Sequence, residues 1–131
     1  MINLPALLHD RHYHRRWRIL LLLLMAVVSW FAFMPDPGRG GMPHGDKINH
    51  ILAFAALGCV AALAGPDTRS WQLRVVLGLL GYGVFIEMVQ SYLPTHQADV
   101  LDLLADAVGV TLGLTLTLIL RRHHKAQGRQ I

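Results

Sequence analysis

Residues 19–35 read ILLLLLMAVVSWFAFMP and carry no formal charge. A second run, INHILAFAALGCVAALAGP at 48–66, is also uncharged unless His50 is protonated. A helix lying on the core of a small soluble domain needs one polar face, and neither run has one. The rest of the chain agrees. Of 131 residues, 53% are hydrophobic and 15% are charged, against about 25% charged in an average soluble domain. These proportions exclude a soluble enzyme, a disordered regulator and a disulfide scaffold, and they describe a small integral membrane protein. The single cysteine, Cys59, sits inside an apolar run and reads as a small buried side chain. The net charge of +4 comes from residues at the ends of apolar runs, without aromatic interleaving, so it points to membrane topology and not to nucleic acid.

Working outward, four segments are long enough for a hydrocarbon core of about 30 Å, which takes about 20 helical residues. They lie at about 17–34, 47–64, 73–93 and 99–120, within a single membrane domain 17–120 flanked by basic tails 1–16 and 121–131. Pro35-Asp36-Pro37-Gly38 ends the first, Gly65-Pro66 the second and Pro94 the third. Arg121-Arg122-His123-His124-Lys125 stops the fourth. The first lacks a small-x-small cleavage site and reads as an uncleaved anchor. Ten of the twelve Lys and Arg fall at the N-terminal end (Arg11, Arg15, Arg16, Arg18), around the loop between the second and third spans (Arg69, Arg74) and in the C-terminal tail (Arg121, Arg122, Lys125, Arg129), leaving only Arg39 and Lys47 on the other side. By the positive-inside rule, the fold expected is all-α, a bundle of four transmembrane helices with both termini cytoplasmic.

On that topology the embedded polar residues gather at one end. Lys47 and His50 open the second span, Glu87 and Gln90 close the third, and Asp99, Asp102 and Asp106 open the fourth. All belong to the outer half. Steps of three and four place each group on one helix face, and the acidic stripe continues into Gly109 and Gly113, which allow close helix approach. Asp106 lies about 10 Å below the start of its span at 1.5 Å per residue. An Asp at a helix centre costs about 2.5–3.5 kcal/mol to insert, so these groups must be paired or hydrated. Simpler roles compete for some of them. Lys47 fits a snorkelling cation, Asp46 and Asp99 fit N-caps, and Glu87 fits an interhelical bridge. Asp106 is too deep for capping or snorkelling, and intramembrane ionisable residues mark function by default.

The order Asp46-Lys47-x-x-His50, then Glu87-x-x-Gln90, then Asp99-x-x-Asp102-x-x-x-Asp106-x-x-Gly109 resembles the VanZ-like family. These are small bacterial membrane proteins, named for a member linked to low-level teicoplanin resistance. The resemblance runs from about Asp46 to Gly113. Many members carry an Arg just ahead of the acidic stretch where this chain has His96-Gln97, and Asn where it has Asp106. It implies a bacterial cytoplasmic (inner) membrane, a role in the cell envelope and an effect on antibiotic resistance.

The leading expectation is an outward-facing polar cavity that binds a lipid or a lipid-linked cell-wall head group. Lys47, His50 and Gln90 would donate to phosphate or sugar. Glu87, Asp102 and Asp106 would accept from hydroxyls, coordinate a hard divalent cation or supply a general base, with Asp99 also among the binding residues. The competing expectations are ion- or proton-coupled transport and a non-catalytic structural role. Membrane lipids are the expected surroundings, and Gly78, Gly81 and Gly83 offer a face for a homo-oligomer.

Overall fold

The structure, a computed structural model, describes residues 11–34, 45–94 and 99–127. The described residues form four helices and no strand: α1 Arg11–Phe33, α2 Gly45–Leu63, α3 Arg69–Gln90 and α4 Val100–Gln127. Side-chain contacts set their directions. Arg18 near the start of α1 meets the end of α2, and Gln90 at the end of α3 meets the end of α1. Lys47 at the start of α2 meets the start of α4. Successive helices therefore alternate in direction, so α2 and α4 run parallel.

Among the described residues, three helices are long and apolar enough to cross a membrane, namely Arg11–Phe33, Arg69–Gln90 and Val100–Ala126. The apolar stretch of α2, Lys47–Leu63, is shorter. Four full-length spans were expected, and three meet the length. The boundaries also move. α1 begins at Arg11, so residues 11–16, expected in a tail, form its first turns. α4 continues through the basic cluster to Gln127 instead of stopping at Leu120. A hydropathy reading ends a segment at its first charge, whereas a helix ends only where its backbone bonding ends. The Pro35–Gly38 breaker and His96-Gln97 lie outside the described residues, as does the side chain of Asp46.

The core is apolar and small, built on Phe54, Leu57, Ala61, Val75, Leu79, Ile86 and Val110. Its closest seam joins α2 to α4. A Cβ at Gly109 would lie 2.5 Å from the Ile51 carbonyl oxygen, one at Gly58 would lie 3.0 Å from the Val110 carbonyl oxygen, and one at Gly113 would strike the Ala55 carbonyl. Glycine is required there because one backbone lies on the other. Cys59 belongs to the same seam, its Sγ donating to the Gly113 carbonyl at 3.3 Å. α1 is peripheral and has no buried residue. Trp30 and Phe31 are 68% and 69% exposed, and Leu22, Leu77 and Leu116 also face outward. That much apolar surface on a small protein suits contact with lipid and not with water.

A second polar region closes the far end. The last carbonyls of α2 and the turn after it lack intrahelical donors. Trp71 Nε1 donates to Ala61 at 3.1 Å, Arg18 Nε to Ala64 at 3.0 Å and Arg121 Nη2 to Gly65 at 3.2 Å. Cations at a helix C-terminus also suit its dipole. Arg121, expected in a solvated tail, is 2% exposed. It completes the stripe Asp106, Gly109, Gly113, Thr117, Arg121, whose three-and-four spacing was visible in the sequence.

Candidate functional site

The alternating topology brings the starts of α2 and α4 and the end of α3 to one end of the bundle, where their polar residues meet. Lys47 Nζ donates to Asp99 Oδ2 at 2.7 Å and to Asp102 Oδ1 at 3.0 Å. One turn deeper, His50 Nδ1 lies 2.8 Å from Asp106 Oδ1. Parallel α2 and α4 thus exchange two polar contacts whose spacing repeats, i to i+3 on one helix and i to i+4 on the other.

Asp99 has two roles. Its Oδ1 accepts from the Leu101 amide at 2.9 Å, which caps α4, while Oδ2 holds Lys47. The capping role weighed from sequence and the charge pairing therefore coexist. Glu87 reaches α4 differently from expectation. Its Oε2 accepts from the Asp99 backbone amide at 3.0 Å, which ties the end of α3 to the start of α4. Nothing in the sequence signals this bond, because it depends on where the short 95–98 connection returns the chain.

Gln90 departs from the group. Its Nε2 donates to the Ala32 carbonyl at 3.0 Å and anchors α3 to the end of α1. Gly83, one turn deeper than Glu87 on the same face and also weighed with Gly78 and Gly81 as a contact surface, lies inside against Asp106, where a Cβ would strike Oδ2. Gly78 and Gly81 do face open space. Tyr82, one residue earlier, donates its hydroxyl to the Met25 carbonyl at 2.8 Å and accepts from Ser29 Oγ at 2.8 Å. The Tyr82 ring packs on Phe54, which stacks on His50. Tyr82 carries no charge to mark it in the polar pattern, and its signal is only that a tyrosine within an apolar span needs such a partner.

Burial deepens along the cluster. Asp99 is the most open member, Lys47 and His50 are half-buried, and Asp102 and Asp106 are buried, Asp106 completely. Two carboxylate oxygens, Glu87 Oε1 and Asp106 Oδ2, are sealed from solvent without a hydrogen-bond partner among the described residues. His50, Glu87 and Asp102 each offer one ligand atom, all within 4.8 Å of one another. Beside them, between α3 and α4, lies a shallow open cavity of about 150 Å³ lined by Val84, Glu87, Asp99, Val100 and Leu103. Its walls are almost wholly apolar, and Glu87 and Asp99 of the carboxylate cluster border it.

Comparison with known proteins adds two positive findings. The family described as VanZ/LLP1 matches residues 7–121. The chain is also similar to an uncharacterized protein of Schizosaccharomyces pombe, C11E3.10, at 28% identity over 131 residues, covering 98% of this chain and 76% of the yeast protein. No solved structure gives a significant match.

Proposed function

The chain belongs to the VanZ/LLP1 family, and from that premise we propose that it is a membrane protein whose polar cluster binds the head group of a lipid or lipid-linked molecule. The groove between α3 and α4 carries this reading. Val84, Val100 and Leu103 give acyl chains an apolar wall, and Glu87 and Asp99, which belong to the carboxylate cluster, border it. A ligand entering from the bilayer would keep its tail in lipid while its head group reached Lys47, Asp102 and the deeper carboxylates.

In this reading all four helices cross the membrane, with both termini on the cytoplasmic side and the cluster on the outer side. The distribution of Lys and Arg supports that orientation. In a bacterium the site would act on the cell envelope at the inner membrane, and loss of it would alter susceptibility to teicoplanin or to other wall- and lipid-targeting antibiotics. A similar protein occurs in Schizosaccharomyces pombe, which favours a head group of broad occurrence over a wall-specific one. Ion-coupled transport is the weaker reading, since the core beside the cluster is apolar, with Leu57, Leu79 and Val110 buried in it.

Two measurements test the proposal. Lipids retained through purification are identified by mass spectrometry, and the native host is scored for antibiotic susceptibility and membrane abundance. Glu87→Gln and Asp106→Asn should accumulate normally, lose the retained lipid and change susceptibility. Normal susceptibility and unchanged lipid content in both variants would refute head-group binding.

A further inference from the structure

We propose that His50, Glu87 and Asp102 form a site for a first-row divalent cation of the zinc type, with Asp106 positioning the histidine. The three come from α2, α3 and α4, and each offers one ligand atom within 4.8 Å of the others. The donor set selects the ion. One imidazole nitrogen with two carboxylate oxygens suits zinc, which accepts both at about 2.0–2.2 Å. Magnesium and calcium prefer oxygen throughout, so the histidine moves the preference away from the hard cation expected of a purely acidic cluster. Three protein ligands leave a position open, the arrangement of zinc sites that meet a further ligand.

Two other observations point to the same ion. Asp106, 0% exposed, has Oδ1 2.8 Å from His50 Nδ1. A histidine that binds metal commonly donates its other ring N–H to a carboxylate, which fixes the tautomer and raises the basicity of the ligating nitrogen. With Nδ1–H given to Asp106, Nε2 is the ligand atom. Glu87 supplies the second observation. Its Oε2 is engaged by the Asp99 amide, while Oε1 is sealed from solvent without a partner among the described residues. Such an oxygen is expensive to bury alone and is satisfied by a cation. Charge agrees, since Asp99 and Asp102 pair with Lys47, Asp106 pairs with His50, and Glu87 adds a fourth carboxylate beside them.

Glu87 also lines the lateral groove, so a ligand arriving along it would reach the ion's open position. The chemistry that fits there is an anionic phosphate oxygen. This last step rests on the head-group reading above, whereas the metal site does not.

The test uses the full chain in detergent, carrying no polyhistidine tag and with His123 and His124 replaced by alanine. The protein is stripped with a chelator and dialysed against Zn²⁺, and bound metal is measured by elemental mass spectrometry. One ion per chain is expected. His50→Gln and Asp102→Asn should abolish stoichiometric binding, and Asp106→Asn should weaken it by about 10–100-fold while leaving the stoichiometry unchanged. Substoichiometric binding to the folded parent, or full binding by both His50→Gln and Asp102→Asn, overturns the site. If those variants do not fold, the Co²⁺-loaded parent decides. A visible spectrum of low-coordinate Co²⁺ supports the site, and that of hydrated Co²⁺ overturns it. Inorganic phosphate and nanodiscs with or without phosphatidic acid are then added to the metal-loaded chain. A perturbed Co²⁺ spectrum with phosphatidic acid but not with inorganic phosphate identifies a lipid source, and the reverse identifies free phosphate. A bound ion blind to both keeps the metal site and removes the phosphate step. Lipid retention without metal removes the ion and keeps head-group binding.

Discussion

At the residue scale, the molecule separates groups that a composition count would treat alike. Asp106 is completely buried and bonded to His50, whereas Asp99 is partly open and caps a helix. Asp106→Ala would leave His50 without that acceptor and should lower stability by about 1–3 kcal/mol in thermal melts in detergent. Asp106→Asn keeps an acceptor and should lower it less. A similar contrast holds at the far end. Arg121 is buried on the Gly65 carbonyl, while Lys125 is 55% exposed in its pair with Asp67. Arg121→Met should therefore destabilise by about 1.5–3 kcal/mol, as expected for a hydrogen bond to a charged group. Lys125→Met should shift the melt by less than about 1 kcal/mol. Asp67, in the turn between α2 and α3, is pushed upward by partial burial. The Lys125 hydrogen bond and the charges of Lys125 and Arg121 outweigh this and hold the carboxyl below its ordinary value. Its contribution to stability is then complete above the unfolded value of about 4 and is lost as pH falls through the lower folded value. The melting difference between wild type and Asp67→Asn should be flat from neutral pH to about pH 5 and vanish in stronger acid. Asp106 was legible in the sequence because depth left it no simpler role. Gln90 was not, since i, i+3 spacing from Glu87 gives a shared face but not the neighbour that fills part of it.

At the element scale, α2 and α4 are the tightest partners, and glycine sets their distance. Gly113→Leu would drive a side chain into the Ala55 carbonyl and should lower stability by at least about 1–3 kcal/mol, the ordinary cost of overpacking. Gly78→Ala and Gly81→Ala, which meet open space, should leave the monomer's melt unchanged. Loss of a crosslinked dimer in those two variants would assign their face to self-association. Helix positions followed from hydropathy because long uncharged runs have no soluble alternative. Their ends did not, since Arg11–Arg16 and Arg121–Gln127 stay helical by backbone bonding that hydropathy does not measure. The Gly109–Gly113 contact was legible as a close approach, but the partner helix was not named by the sequence.

At the whole-molecule scale, alternating directions gather chemistry at one end and helix-capping cations at the other. Protease protection of terminal tags in sealed vesicles should place both termini on one face, and opposite faces would break the four-crossing reading. The convergence of Lys47, His50, Glu87 and Asp102 followed from counting crossings, so this part of the site was written in topology. The metal-ready geometry needed the hand-off from Asp106 to His50 and the turn of Glu87 onto Asp99, which depend on side-chain rotamers. The parallel pairing of α2 with α4 also bears on how the protein is made. Their partners are separated by the whole of α3, so Lys47 and His50 emerge from the ribosome before Asp99, Asp102 and Asp106, the carboxylates they pair with. In the four-crossing reading, Lys47 and His50 lack those partners at membrane depth until the last helix leaves the translocon. Insertion should therefore pause with the first three helices beside the translocon, and a chain cut off before Asp99 should be degraded instead of released into the bilayer.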